Sequence, residues 1–574
     1  MDRRLSAPDS GSNYKFQNQL EIASPPRSLF DLSHLHTTTI PSIGVVIPIA
    51  CFETLPNDSF ELSVTALVRA LPQVVPLYSR QRITIHAFWN SLSDLWTHAE
   101  VFMTKGYTGN TIYQIPFLAH SETDYVSFPH TGRVQAHSLL GFLCSGTVGH
   151  LYGDLTGEHF NALPLFMYFK IWRDYYVNKN LFNDNRAMFP DDDCDFRLND
   201  KGGIVSFINS AALYYPNGLR SRFFADDYFT SAYPSPQRGT APTLDFTASL
   251  SDIFNVDAAT RFTPLWQALS SSETTVNVIT GAPGTPGILP TGFSHTSLID
   301  DYAERNARFL EHMNQALSDS SMLNSSITLN QLRELAISQS ELERMAKTDG
   351  SYSDFGLTFF GQKPRNASIR KAVYIGGTQQ PIMYSEVLQT SHSESTPLGT
   401  YAGHGISQSN GGYIGKFDCS DYGYLMILAS VVPDTYYSQG LDLMWTRSFQ
   451  SEMYLPDRAR LGLRPILSKE LYFGSVGNDE LFAYQNPFDE FRYCPNRVSG
   501  YIADSTKDSY FAYTQSRFFT SRPTYSQSFM SMADNVRMDY LVSKTEPPFT
   551  AQFSINCRAV RPLPYRPIPA TLGV

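Results

Sequence analysis

Four aspartates crowd one short stretch: Asp191, Asp192, Asp193 and Asp195, with Cys194 among them. Carboxylates this close offer hard oxygen ligands of the kind Ca²⁺ takes. The alternating acids, central glycine and closing glutamate of an EF-hand loop are missing, so a solvated acidic turn is the plainer expectation. The four aspartates stand as the metal candidates. Asp154, Glu158 and His159 precede a helical pattern. They could form an acid–base pair, although an acid placed to meet a helix dipole is the simpler reading. His34 and His36 read as hydrogen-bonded surface groups rather than ligands. At the other end of the chain, residues 547–574 hold no Asp, Glu or Lys but carry Arg558, Arg561 and Arg566, with Tyr565 beside the last. Guanidinium groups contact phosphates and a tyrosine ring stacks on bases, so these four are the candidate contacts to DNA.

No spacing matches a P-loop, G-x-G-x-x-G, H-E-x-x-H or G-x-S-x-G. No motif therefore points to an enzyme or a cofactor, and the family resemblance described below implies neither. Its 54 acids outnumber 44 basic residues for a net charge of −10, which excludes a simple polycationic nucleic-acid binder and leaves room only for a local basic patch. Six cysteines without a C-x-x-C pair suit neither a disulfide scaffold nor a zinc ribbon, and a reducing compartment is the natural expectation. No apolar run follows Arg3-Arg4, so no leader is expected. The longest uncharged, mostly apolar run is Tyr422–Val432, and a bilayer-spanning helix needs about 20 residues, so no membrane insertion is expected.

Aromatics at 13%, with 36 Gly and 35 Pro, suit a β-rich chain with long ordered loops. Residues 1–59, broken by Pro25, Pro26, Pro41, Pro48 and Pro56, read as an irregular arm. Phe60, Leu62, Val64, Ala66 and Val68 then alternate with polar residues, the mark of a half-buried strand, and residues 82–88 make a second. Leu165, Tyr168, Phe169, Trp172, Tyr175 and Tyr176 recur at helical spacing over 161–180, behind Asn161 as a cap and Pro164 in the first turn. Two further helices are expected, one after Asp300 and one opened by Thr328-x-x-Gln331 and stopped near Gly350. The run Tyr422–Val432 suits a strand buried on both faces, and Phe549, Ala551, Phe553, Ile555 and Cys557 form one face of a last strand. Alternating strands without regular strand–helix order favour antiparallel sheets: a sandwich, barrel or jelly roll. The organisation read from this is an arm (1–59), a first β part with loops (60–242), a partly helical insertion (243–365), and the rest of the β system with a C-terminal arm (366–574).

An ordered set of short segments then narrows the reading. Phe30-Asp31-Leu32-Ser33-His34 is followed by Asp58-Ser59-Phe60, Asn161-Ala162-Leu163-Pro164 and Asn178-Lys179-Asn180-Leu181. Asp227-Tyr228-Phe229-Thr230-Ser231-Ala232-Tyr233-Pro234 is the most distinctive. Tyr374-Ile375-Gly376-Gly377-Thr378, Met444-Trp445-Thr446-Arg447 and Phe491-Arg492-Tyr493 come after it. Together they resemble the major capsid protein of the microviruses, small tailless single-stranded DNA phages, and most of all its gokushovirus-like branch. Ser235 departs from the pattern, where that family usually has Trp between two prolines.

The resemblance implies a mainly β fold: an eight-stranded antiparallel jelly roll with long, partly helical inserted loops. It implies a structural protein whose pentamers build a T=1 icosahedral shell of sixty copies around circular single-stranded DNA. The expected partners are further copies of the chain, the genome on the inner surface, other virion or scaffolding proteins and a host-cell receptor. The expected location is the virion, assembled in the bacterial cytoplasm. Residues 243–327, where the matching segments fail, are the expected threefold protrusion, used in host attachment. A jelly-roll carbohydrate-binding or glycoside-hydrolysing protein is the competing reading, since aromatics and scattered carboxylates also suit sugars.

Overall fold

An extended chain from Phe60 to Val68 puts five apolar side chains on one side and polar ones on the other, and the only way to dry that row is to stack it on another. In a computed structural model of the protein it does so as part of a large antiparallel sheet. The structure describes residues 25–96, 98–106, 109, 115–119, 139–143, 159–181, 196–198, 204–207, 218–242, 329–362, 371–385, 404–407, 412–460, 462–474, 476–544 and 546–566. In chain order its strands are β1 (Ser28–Asp31), β2 (His34–Ile40), β3 (Val45–Thr54), β4 (Ser59–Ala70), β5 (Gln81–Ser91), β6 (Phe117–Ala119), β7 (His159–Asn161), β8 (Phe196–Leu198) and β9 (Ile204–Phe207). They continue with β10 (Arg220–Ser221), β11 (Val373–Ser385), β12 (His404–Ser407), β13 (Tyr413–Asp418), β14 (Gly423–Pro433), β15 (Arg464–Leu467), β16 (Leu481–Gln485) and β17 (Phe549–Arg561).

Two groups of strands carry the architecture. In the first, β17 pairs with β1 and β2 along one edge and with β4 along the other, and β4 in turn takes β13 and β12. In the second, the order is β3, β14, β5, β11, with the short β10 outside β3. Strand β11 joins the groups: Val373–Ile382 pairs with β5 and Met383–Ser385 with β12. The groups share one core, in which Phe52 of β3 meets Phe60 of β4 at 6.3 Å and Trp89 of β5 meets Phe417 of β13 at 5.3 Å between ring centroids. The two backbones draw close where β11 passes β13: a Cβ on Gly376 would lie 2.2 Å from the Ile414 carbonyl oxygen, so only glycine fits there.

The arm expectation fails between residues 28 and 54, which form β1, β2 and β3. Proline does not stop β3 because Pro48 sits where the ladder with β14 slips by one residue, between the pairs Ala50–Ile427 and Pro48–Leu428. A bulge leaves an N–H unpaired, so the missing donor costs nothing there. The other readings of local structure that fall on described residues match well. Strand β14 is buried along its whole length, and β17 alternates as expected. The helix spans Leu163–Tyr175, with Pro164 in its first turn and the Asn161 side chain accepting from Leu163 N at 2.9 Å. It covers the outer face of the second group: Tyr168 Oη donates to the Val46 carbonyl at 2.8 Å and Trp172 Nε1 to the Ser221 carbonyl at 2.8 Å. The chain divides into two compact units, one of them Gln237–Arg344. Within that unit the described residues include most of the helix Leu329–Ala346, and Arg238 N donates to the Leu342 carbonyl at 3.1 Å. The helix expected after Asp300 and the segment 243–327 lie outside the described residues.

His86 of β5 lies beneath this helix, with a ring nitrogen 2.8 Å from Tyr176 Oη and its ring stacked on Tyr176 at 5.9 Å. Burial, reinforced by the Arg222 charge, lowers its pKa to about 4. An unfolded histidine charges from about pH 6.5 downward while His86 stays neutral, so the fold loses stability as the pH falls from about 6.5 to 4 and no further from this group. The shift corresponds to about 3 kcal/mol. His86→Gln removes this part of the acid loss, which urea unfolding of the unassembled protein across that pH range measures.

Candidate functional surfaces

Residues 434–548, between β14 and β17, build a layer of loops organised around the segment 227–233. Asp227 closes a tight turn: its Oδ1 accepts from Phe229 N and Thr230 N, both at 2.9 Å. Its Oδ2 accepts from Tyr437 Oη at 2.7 Å. The next residue reaches the opposite way, Tyr228 Oη donating to Glu470 Oε2 at 2.9 Å. Glu470 is only 3% exposed, and burial raises its carboxyl above the usual range against the pull of Arg464. Arg464 bridges two acids, reaching Glu470 at 2.8 Å and Glu490 at 3.1 Å, and Glu490 also pairs with Arg447. Beside Tyr437, Arg517 is buried among rings, 3.8 Å from the Phe529 centroid and 4.3 Å from that of Phe224, and donates to the Phe529 carbonyl. The most distinctive sequence segment is thus a structural junction with no reactive group free to act.

Above the Arg447–Glu490 pair the surface is unusually apolar. Trp445 is 71% exposed, Phe449 70% and Phe491 63%, with Met444, Met453 and Tyr454 also exposed. Arg447 lies 4.8 Å over the Phe491 ring, and Tyr454 packs edge-on to Phe488 at 5.1 Å, so the salt bridges hold the patch from beneath. Exposed aromatics and Met, with Arg and little Lys, are what protein–protein interfaces present. Sequence reasoning missed this surface because a run such as Met444-Trp445 reads equally well as core.

The DNA-contact candidates divide into two kinds. Arg558 is exposed on β17, opposite Asp31 of β1 and Glu61 of β4. Tyr565 is exposed and stacks on Phe30 at 6.3 Å, with Arg566 exposed beside it. Arg561 is engaged inside the fold, at 2.9 Å from the fully buried Asp58, donating to the Glu53 carbonyl at 2.6 Å and lying over Phe60. No local signal in the sequence ties these residues together across 503 positions. His34 is exposed, its ring nitrogen 3.0 Å from the Leu32 carbonyl, and His36 is half-buried. Asp191, Asp192, Asp193, Asp195, Asp154 and Glu158 lie outside the described residues, as does the side chain of His159. Among the described residues no three His, Cys, Asp or Glu side chains gather as metal ligands.

Comparison with known proteins decides what such a molecule is. The phage capsid protein (F protein) family matches residues 19–571. The chain belongs to that family. Capsid protein VP1 of Chlamydia phage 1 is 25% identical, over 96% of this chain and 97% of its own length. Those of Bdellovibrio phage phiMH2K and Spiroplasma virus 4 are each 24% identical, over 92% and 94% of this chain. All three are proteins of gokushovirus-type microviruses, so the resemblance carried by the ordered segments holds along nearly the whole length. A capsid-family protein of this kind is a structural component of the virion. Among the described residues no helix is long and apolar enough to cross a membrane.

Arg561 and its neighbours should separate in a stability assay. Arg561→Ser leaves Asp58 buried without its cation and destabilises the unassembled protein by about 3 kcal/mol in urea unfolding. Arg558→Ser and Arg566→Ser each stay within about 0.5 kcal/mol of the unchanged chain.

Proposed function

We propose that this protein is the major capsid protein of a gokushovirus-like microvirus, forming pentamers that close into a T=1 shell of sixty copies around circular single-stranded DNA. The observation that carries the reading is the capsid-family match from residue 19 to residue 571. The strand order supports it. Orders β2–β17–β4–β13 and β3–β14–β5–β11 fit the two four-stranded sheets of an eight-stranded jelly roll, with β1, β10 and β12 as extensions. The long excursions after β5 and β14 correspond to the inserted loops, and the segment 243–327 is assigned to host attachment.

The apolar patch around Trp445 is assigned to contact with a neighbouring copy. Closed symmetry repeats one contact around the whole shell, so a modest interface suffices at each position. The role is structural, with no reaction to perform.

Negative-stain electron microscopy with light scattering on the expressed protein tests the assembly. Uniform icosahedral particles, or pentamers that convert to them, are expected, and a small glycan-binding oligomer would overturn the reading. Trp445→Ser combined with Phe449→Ser should lower the assembled fraction by about tenfold with circular dichroism unchanged. Removal of 243–327 with a short linker should leave shells intact and abolish adsorption to host cells.

A further inference from the structure

Four tyrosines form a stacked row on the surface. Tyr78 packs on Tyr513 at 5.6 Å between ring centroids and 22° between planes, Tyr513 on Tyr510 at 6.0 Å and 24°, and Tyr510 on Tyr501 at 6.1 Å and 35°. Tyr501 is 68% exposed, Tyr78 65% and Tyr510 52%, with Tyr513 half-buried. Among the described residues none of the four hydroxyls has a hydrogen-bond partner. The backbone fixes the row: Tyr78 N donates to the Tyr513 carbonyl and Gln515 N to Ser79 Oγ, both at 2.8 Å. Tyrosine offers a large contact area on two rotatable bonds, so covering a row already held in place costs little side-chain entropy.

The same chain carries a segment of matching chemistry. Pro562, Pro564, Pro567 and Pro569 lie close together in a stretch without Asp or Glu. Proline fixes its own φ and restrains the residue before it, which sets such a run toward the polyproline II helix, with three residues per turn and every carbonyl free. That helix puts Pro564 and Pro567 on one edge and Pro562 with Tyr565 on another. Tyr565 stacks on Phe30 of its own copy, whereas Leu563, Pro564 and Arg566 stand exposed.

We infer that the tyrosine row binds the proline segment 564–569 of a second copy, an inference that rests on the capsid reading. Proline-rich segments dock on rows of aromatic rings, which pack on the pyrrolidine faces while hydroxyls donate to the free carbonyls. Charge does not select the occupant: the charged residues within three positions of the row are Arg80, Asp504, Lys507 and Asp508, two of each sign. A copy's own segment cannot reach its own row, because the two lie at opposite ends of a strand. The segment leaves β17 where Val560 pairs with Ser59 and Arg561 with Ser28. The row follows the other end of β4, where Ala70 pairs with Phe549 and Leu71 N donates to the Pro548 carbonyl at 2.9 Å. A strand from Phe549 to Arg561 covers about 40 Å. From Tyr565, held on Phe30, to Pro569 even a fully extended chain covers at most about 14 Å.

Two experiments test this. A fluorescent peptide of residues 561–572 is titrated onto the unassembled protein. Saturable binding is expected, weakened at least about tenfold by Tyr510→Ser with Tyr513→Ser at unchanged circular dichroism, and equally by Pro564→Ala with Pro567→Ala in the peptide. No binding, or binding that neither pair of changes alters, overturns the inference. So does a row that retains host-envelope glycans but not the peptide, since sugars also stack on tyrosine. In the second experiment, particles are assembled from isotope-labelled and unlabelled copies carrying the photo-crosslinker benzoylphenylalanine in place of Ile568. Mass spectrometry after irradiation should find 568 joined to 73–80 or 501–513 of a different copy, and crosslinks confined to other segments or to the same copy refute the docking. Peptide binding by a chain that never forms particles supports the docking site and counts against the capsid reading alone.

Discussion

Strand β17 has to satisfy neighbours on both edges at once, and most of the first strand group follows from that. Its inward side chains, from Phe549 to Ala559, are buried, and its outward ones, from Thr550 to Arg558, are polar. A slip of one residue would reverse every one of them, so the register with β2 and β4 is strongly specified. Near the end of the same strand Arg561 reaches down to the buried Asp58, which also receives the Leu55 amide at 2.8 Å. The ion pair therefore fixes the turn between β3 and β4 from the far end of the chain. Removing the cation costs more than the pair is worth, because the carboxylate has no water to return to.

A second layer of order comes from the segment 227–233. Asp227 and Tyr228 point opposite ways into two polar clusters, one built on Tyr437 and Arg517, the other on Glu470, Arg464 and Glu490. The charged groups of these clusters are engaged with one another. They make long loops behave as rigid ones, and so allow apolar side chains such as Trp445 to stand in solvent at fixed positions instead of collapsing inward.

Much of this was readable before any coordinates. Period-two patterning found β4, β5 and β17, the unbroken apolar run found β14, and helical spacing found Leu163–Tyr175. Strands β1 to β3 were hidden because proline was read as a breaker, when Pro48 occupies a bulge whose donor is not needed. The candidate tail was legible only as composition: that Arg561 is locked into the fold, while Arg558 and Arg566 stay exposed, depends on Asp58, and no local pattern links residues so far apart in a chain. The Trp445 patch was unreadable for a related reason, since exposure is a property of the fold and an aromatic residue looks the same inside or out.

The position of β17 also sets a timetable. It lies between β2 and β4, yet it is made long after both of them. A growing chain on the ribosome holds β2 and β4 with open edges until Phe549–Arg561 emerges. A truncated product therefore lacks the strand that joins them, and its exposed edges mark it for aggregation or proteolysis. Only a chain that has reached Arg561 can close the edges of β2 and β4.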